Sequence, residues 1–265
     1  MNSFAPIRSS LPRVLLAAAL GGVCASAFAT DGLERAKQRG ELLAGIHYVV
    51  PEYKGGMKFR TPETLDTALL EDVARRVQLP LAAVRAESGK ADIALVTIAQ
   101  SDALHRHAGV IPTGYSAGPM AIMRTDTDIK AWEHLKGRKV CVSEGGHHAG
   151  TLAARYGAIE KVYKAPADSL LALRIGACDA AVHDSTMLEQ LIKLPEWKKF
   201  SARLPVGPRK TLAFVVPAGD KKSAAVLKQV AAAWTASGYL DRLMNKMVRQ
   251  IAFEVYLDQD VPDCH

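Results

Sequence analysis

The sequence lacks the marks of repeat proteins, membrane-spanning chains and nucleic-acid-binding chains. Its 265 residues contain no internal repeat and no low-complexity segment. The apolar run at residues 14–23 is shorter than the about 20 residues that a membrane-spanning helix needs. Lysine and arginine are spread along the chain without forming a block. The formal net charge of +7 therefore indicates a solvated basic surface rather than a nucleic-acid or polyanion site.

The first residues have the pattern of a targeting segment. Arg8 and Arg13 supply a positive start, the apolar run follows, and Ala27-Phe28-Ala29 forms a small-x-small cleavage site. We therefore predict that residues 1–29 are a cleaved signal peptide and that the mature chain is exported.

Cysteine is scarce, and cleavage would leave Cys141, Cys178 and Cys264. In an oxidising compartment two of these can pair. Cys141 lies in a predicted strand and Cys178 directly precedes another, so these two can form a disulfide if the strands are neighbours. The alternative is two buried free thiols. Cys264 is left without a partner in this scheme.

Helical and strand patterns alternate along the chain, which favours a mostly parallel α/β architecture. Apolar residues at the helical period predict one long helix at residues 64–79. The other predicted helices cover residues 31–39, 149–156, 221–235 and 238–248, and the predicted strands cover residues 42–46, 93–97, 120–123, 139–143, 180–184 and 212–216.

The order of these elements predicts a chain that leaves one lobe and later returns to it. The first lobe would contain residues 30–118 and 213–265, and the second lobe residues 119–212. Two crossing segments, near 118–123 and 210–214, would form the hinge. A cleft between hinged lobes is a common place for a small-molecule site.

The segment 168–184 reads as a short helix capped by Asp168, a glycine stop at Gly176 and a buried strand that ends at Asp184. The carboxyl end of such a strand is where open α/β sheets bind ligands. Asp184 is therefore predicted to meet a cationic group of a solute, such as an amine. The alternative is that Asp184 caps the helix that begins near Ser185.

Five segments resemble the family 3 periplasmic solute-binding proteins, the polar amino-acid receptors of ABC importers. They cover residues 33–45, 64–79, 135–146, 170–184 and 219–247. The resemblance implies a type 2 periplasmic-binding fold that closes on a small polar solute, an amino acid or a related amine or carboxylate. It further implies a periplasmic monomer that delivers the solute to a membrane permease, without enzymatic activity or cofactor. It also supports the Cys141–Cys178 disulfide.

The resemblance also supplies candidate ligand contacts. Asp184 matches the acid that pairs with the ligand's α-amino group, and the residues around Gly145 match the loop that meets the α-carboxylate at a helix start, where backbone N–H groups suit an anion. Two tyrosines after the first strand would form an aromatic wall. The predicted ligand-binding residues are Tyr48, Tyr53, Thr97, Gln100, Tyr115, Gly145, Gly146, His147, His148 and Asp184.

One departure from the family pattern concerns the ligand's carboxylate. The family carries Thr-x-x-Arg after the strand at 93–97, and that arginine holds the carboxylate with two parallel hydrogen bonds. Here Asp102 or Ala103 lies near the arginine's place. Arg106 could reach the cleft only if the loop were rebuilt.

The histidines do not predict a metal site, although neutral imidazoles bind zinc, copper and nickel. None of them has a tight chelating spacing, and adjacent histidines rarely hold one ion together. We interpret His147 and His148 as hydrogen-bond donors facing the cleft. The histidines weighed are His47, His105, His107, His147, His148 and His183.

Two further interpretations remain open beside the receptor. The fold also supports a periplasmic dehydratase of cyclohexadienyl acids, in which Glu52, Glu144 or Asp184 would act as the acid beside His147. Some relatives are instead accessories encoded with periplasmic quinoprotein dehydrogenases that bind a protein partner. The tail 251–265 would then be a partner surface; otherwise it is a last strand or a clamp on the first lobe.

Overall fold

The computed structural model describes residues 31–51 and 59–259. The predictions about the signal peptide, Glu52, Tyr53 and Cys264 lie outside these residues. Within them the chain alternates between short helices and strands. The helices are α1 (Gly32–Arg39), α2 (Asp66–Val77), α3 (Leu104–His107), α4 (Leu152–Tyr156), α5 (Pro166–Arg174), α6 (Ser185–Leu191), α7 (Lys221–Ser237) and α8 (Tyr239–Leu257).

The strands form two separate five-stranded sheets. In chain order they are β1 (Leu42–Ile46), β2 (Leu81–Arg85), β3 (Ile93–Ile98), β4 (Ala108–Ala117), β5 (Pro119–Met123), β6 (Lys139–Ser143), β7 (Ile159–Tyr163), β8 (Ala180–Asp184), β9 (Ala202–Arg203) and β10 (Lys210–Pro217). The first sheet has the order β2-β1-β3-β10-β4 and the second β7-β6-β8-β5-β9. In each sheet three strands are parallel and the others join antiparallel. The predicted two-lobed fold of mixed sheets flanked by helices is confirmed.

The chain passes between the sheets twice, and the two crossings touch. Gly118 links β4 to β5, and a Cβ atom built there would lie only 2.4 Å from the carbonyl oxygen of Gly207. The N–H of Gly207 donates to the carbonyl of Pro119 at 2.9 Å. A side chain at Gly118 would therefore push the crossings apart. The exact boundaries that the sequence assigns to the lobes stay a prediction.

The C-terminal segment is helical through Leu257. The sequence alone had allowed a last strand or a clamp on the first lobe for this segment. Helix α8 packs against α5 and α6 of the second lobe and against α7 of the first. Its buried face includes Met244, Ile251 and Val255, which belong to one hydrophobic core that reaches into both lobes. The final helix therefore joins the lobes.

Helix α5 begins earlier than the sequence predicts. Pro166 occupies its first turn and Ala165 its N-cap, so Asp168 lies inside the helix rather than capping it. Proline is well suited to the first turn because it has no N–H that would need an acceptor there. The carboxylate of Asp168 instead accepts a hydrogen bond from Arg60 Nε at 2.9 Å. Gly176 has a left-handed φ of 78°, as a helix stop requires.

The disulfide between Cys141 and Cys178 is present, with the Cα atoms 5.9 Å apart. Strands β6 and β8 are parallel neighbours, and Cys141 pairs in register with Ala181. The condition set by the sequence, that the two strands be adjacent, is met.

No helix in the described part of the chain is both long enough and apolar enough to cross a membrane.

Candidate functional site

A small cavity of about 150 Å³ lies between the two lobes. Strands β3, β4 and β10 of the first lobe contribute to its walls, and so do the loop after β6, helix α4 and the end of β8 from the second lobe. Five of the predicted site residues line it: Thr97, Tyr115, His147, His148 and Asp184.

Asp184 ends β8 and is only 4% exposed. Its Oδ1 lies 2.8 Å from Nε2 of His148, and its Oδ2 accepts a hydrogen bond from the Tyr115 hydroxyl at 3.0 Å. Burial alone would raise the pKa of Asp184, but the hydrogen bond from His148 and the nearby imidazoles lower the pKa below its usual value. Asp184 has the N-cap position of α6, yet its side chain makes no capping hydrogen bond. Its carboxylate is therefore used inside the cleft.

Tyr115 carries the contact with Asp184 across the lobes, because it belongs to β4 of the first sheet. Its hydroxyl also lies 2.5 Å from Oγ1 of Thr186, so the threonine donates while the tyrosine donates to Asp184. Burial and the adjacent charge of Asp184 raise the pKa of Tyr115 well above its usual value. The phenol stays protonated and serves as a fixed donor.

His147 faces the first lobe. Its ring centroid lies 5.1 Å from that of His47, which follows β1. Burial lowers the pKa of His147, and the neighbouring Asp184 only partly opposes this effect. The imidazole is therefore neutral near pH 7 and can either donate or accept a hydrogen bond.

Glu63 is a functional candidate that the sequence does not reveal. It precedes α2 of the first lobe, yet its carboxylate accepts from the Ser143 hydroxyl and lies 2.9 Å from Nδ1 of His183, both in the second lobe. His183 Nε2 is 2.7 Å from the Ser169 hydroxyl, which itself donates to a backbone carbonyl. All of these side chains are buried. They form a polar contact between the lobes, which we call the Glu63 cluster.

The hydrogen-bond pattern limits where the protons of the Glu63 cluster can lie. Because the Ser169 hydroxyl uses its proton on a carbonyl, His183 Nε2 must donate to it. The contact between Nδ1 and Glu63 then needs a second proton. One proton therefore lies between His183 Nδ1 and the Glu63 carboxylate.

Asp66, in the first turn of α2, is a second buried acid near the cleft. Burial, together with the negative charge of Asp184, raises the pKa of Asp66 to about 7. Its Oδ1 has no hydrogen-bond partner among the described residues. Acids just before a helix or in its first turn, such as Glu63 and Asp66, are usually interpreted as capping residues, so no sequence signal distinguishes these two.

We expect Asp66→Asn to stabilise the protein at pH 8 but not near pH 4.5. A carboxyl with a pKa of about 7 when folded and about 3.9 when unfolded keeps its proton in the folded state between those values. Unfolding free energy therefore falls as the pH rises through this window, by at most about 1.4 kcal/mol per unit. Asparagine removes this loss. Urea unfolding of the variant and the wild type at both pH values measures this difference in stability. The exposed Glu71→Gln on the same helix is the control. An equal gain in the free energy of unfolding at both pH values would contradict the prediction.

The glycines of the loop after β6 face first-lobe side chains rather than a free space. A Cβ on Gly145 would lie 2.9 Å from the ring of Tyr48, and one on Gly146 would lie 2.6 Å from Glu63. Tyr48 itself lies beside Glu144 and away from the cavity; burial and that carboxylate raise the pKa of Tyr48. These positions let the lobes approach closely.

The predicted helix start differs from the observed one. Helix α4 begins at Leu152, not at Ala149. The N–H groups of Leu152 and Ala153 donate to Glu160 Oε1 at 2.6 and 2.8 Å. The carboxylate of Glu160 thus caps the first turn of α4, and the predicted role of the loop at Gly145 and Gly146 stays a prediction.

Several other candidates lie outside the cavity. Gln100 is exposed in the turn after β3, and Arg106 is exposed on α3. Glu144 pairs with Lys164 at the surface, so of the acids weighed for catalysis Asp184 is the described one that lines the cavity. Within residues 31–51 and 59–259, no three histidine, cysteine or acidic side chains are grouped as a metal site.

No known family model matches the sequence, and no curated protein matches it. Solved structures do match its fold. A mutant of ArgBP from T. maritima is 22% identical, with 82% of this chain and 99% of that chain covered and a TM-score of 0.58. AbpA from Streptococcus pneumoniae, bound to L-arginine, is 17% identical, with 82% and 98% covered and a TM-score of 0.57.

A third match is the ancestral amino-acid-binding protein AncCDT-1, described as a precursor of cyclohexadienyl dehydratase. It is 19% identical, with 82% of this chain and 99% of that chain covered and a TM-score of 0.56. The matches span nearly the whole of the known structures. They confirm the two-lobed periplasmic-binding fold.

Proposed function

We propose, starting from a fold shared with amino-acid-binding proteins, that this chain is a solute-binding protein whose ligand occupies the cavity between the lobes. The observation that carries the proposal is the cavity itself, which side chains from both lobes line. Thr97 and Tyr115 approach from the first lobe, and His147, His148 and Asp184 from the second. A ligand held by both lobes favours the closed arrangement, because its contacts are complete only when the lobes meet.

The same comparison supports a proposal about the biological setting. The matched structures include a substrate-binding protein of an amino-acid ABC transporter. We propose that this chain is likewise a periplasmic monomer that delivers a small polar solute to a membrane permease and has no enzymatic activity of its own. The leader-like residues 1–29 support export.

We expect a thermal-shift screen of the mature protein to find a ligand among amino acids, amines, small carboxylates and cyclohexadienyl acids. A ligand at about 100 times its Kd adds about 2.7 kcal/mol to the stability of the folded state. For a chain of this size, that is a rise in Tm of roughly 5–10 °C.

Thr97→Phe should abolish the shift, because the larger side chain fills the cavity. Val96→Phe is the matched control, since adjacent residues of a strand point to opposite faces of the sheet. A shift that survives Thr97→Phe would place the ligand elsewhere. Divalent metals belong in the same panel, and a shift with a metal alone would contradict the proposal.

A protein-binding accessory is the second candidate, and a specific observation favours it. Phe253, Tyr256 and Leu257 are 60%, 63% and 61% exposed near the end of α8, on a helix that otherwise buries its apolar residues. Exposed apolar side chains grouped on one helix are typical of interaction surfaces. If no compound in the ligand panel raises the Tm, this candidate is favoured. A quinoprotein dehydrogenase is then the partner to test first.

A further inference from the structure

Two groups that could recognise an amino acid, the Asp184 carboxylate and the first N–H groups of α4, already have hydrogen-bond partners within the chain. Both oxygens of Asp184 have partners, His148 at 2.8 Å and Tyr115 at 3.0 Å. An incoming amine would have to share the carboxylate with these two partners. The first N–H groups of α4 are likewise engaged, by Glu160. The carboxylate in the cavity is therefore already hydrogen-bonded within the chain, and its negative charge is shared with His148.

The charges left without a partner in the cavity are positive. Arg155 of α4 and Lys210 of β10 line it from opposite lobes. The guanidinium of Arg155 lies 5.2 Å from the ring centroid of Tyr156, which positions it. Among the described residues, no acidic side chain forms an ion pair with either cation. Both side chains are exposed to solvent, and a bound solute that brings a negative charge would give each of them an ionic partner.

The size of the cavity limits the solute. An engineered protein cavity of about 150 Å³ holds benzene, which has about six non-hydrogen atoms. The cavity between these lobes has the same volume, about 150 Å³. A short carboxylic acid matches this volume, whereas a solute as long as arginine would extend beyond it.

We propose that this cavity binds a small organic carboxylate of about six non-hydrogen atoms, with its acid group between Arg155 and Lys210. This inference rests on the proposed solute-binding function and names its ligand class. Arginine can grip a carboxylate with two parallel hydrogen bonds, and lysine adds a point charge from the other side. Because the two cations belong to different lobes, the anion also holds the cleft closed.

Isothermal titration calorimetry on the mature protein tests the inference. The probes are lactate, malonate and succinate as carboxylates, phosphate as an inorganic anion, alanine as a zwitterion and ethanolamine as a cation. We expect at least one carboxylate to bind more tightly than phosphate, alanine or ethanolamine. Arg155→Gln and Lys210→Gln should each weaken that binding by roughly tenfold or more.

Two exposed cations provide matched controls: Arg249→Gln on α8 and Lys228→Gln on α7 should leave the affinity unchanged. Binding of alanine or ethanolamine without any carboxylate would overturn this inference and leave the proposed function standing. Tighter binding of phosphate, or carboxylate binding that survives both cavity variants, would also overturn it. If none of the probes binds, the inference is overturned. If, in addition, no compound in the wider thermal-shift panel raises the Tm, the proposed function is overturned separately.

Discussion

Replacing Glu63 with alanine is expected to lower the free energy of unfolding by about 3–5 kcal/mol, because it removes one partner of a buried ionisable pair. His183 would keep an imidazole nitrogen without a partner in the core, and Ser143 would lose its acceptor. Urea unfolding monitored by circular dichroism measures the loss. A loss below about 1 kcal/mol, the usual effect of a surface change, would contradict the assigned role.

Matched variants separate the Glu63 cluster from general effects of losing an acid. Glu71→Ala, exposed on α2, should change stability by no more than about 0.5 kcal/mol. Glu63→Gln keeps the shape of the side chain and an acceptor oxygen. Its loss of unfolding free energy should therefore fall between the losses of the two alanine variants. Because the cluster joins the lobes, small-angle scattering should also show a larger radius of gyration for Glu63→Ala than for Glu71→Ala.

Removing the disulfide should have an effect of similar size. Cys141 and Cys178 are separated by 37 residues, and on the chain-entropy model a bridge closing such a loop contributes about 3–4 kcal/mol. The double variant Cys141→Ser and Cys178→Ser should therefore unfold at a Tm lower by roughly 6–16 °C. Differential scanning calorimetry measures this shift directly.

The reduced protein provides the control for the disulfide prediction. Wild-type protein unfolded and refolded with a reductant should match the double-serine variant, whereas the variant should not respond to the reductant. Equal Tm values for oxidised wild type and variant would show that the bridge does not restrain the unfolded chain.

The sequence predicts every interior strand of both sheets, and none of the four edge strands. The interior strands are buried on both faces, as β8 is along its whole length, so they appear as short apolar runs. The edge strands β2, β4, β7 and β9 carry a weaker signal. Strand β7 is mostly exposed, and β4 contains Pro112, which an edge tolerates.

The sequence could identify residues of the candidate site segment by segment, but not the contacts that join one segment to another. Asp184 ends a strand that the local sequence predicts, so the adjacent residues were enough to predict its place in the cleft. The partners of Asp184 could not, because Tyr115 and His148 reach it from 69 and 36 residues away. Glu63 meets His183 across 120 residues. Such contacts depend on how the lobes meet, which local patterns do not encode.

The position of β10 has a consequence for the order in which the molecule can be completed during synthesis. The second sheet is built from one continuous stretch, residues 119–203, so all its strands exist before β10 is made. The first sheet has to wait, because β10 lies between β3 and β4 and pairs with both. Until residue 217 has been made, those two strands expose unpaired edges. The nascent chain therefore carries a complete second sheet beside a first sheet whose exposed strand edges favour aggregation.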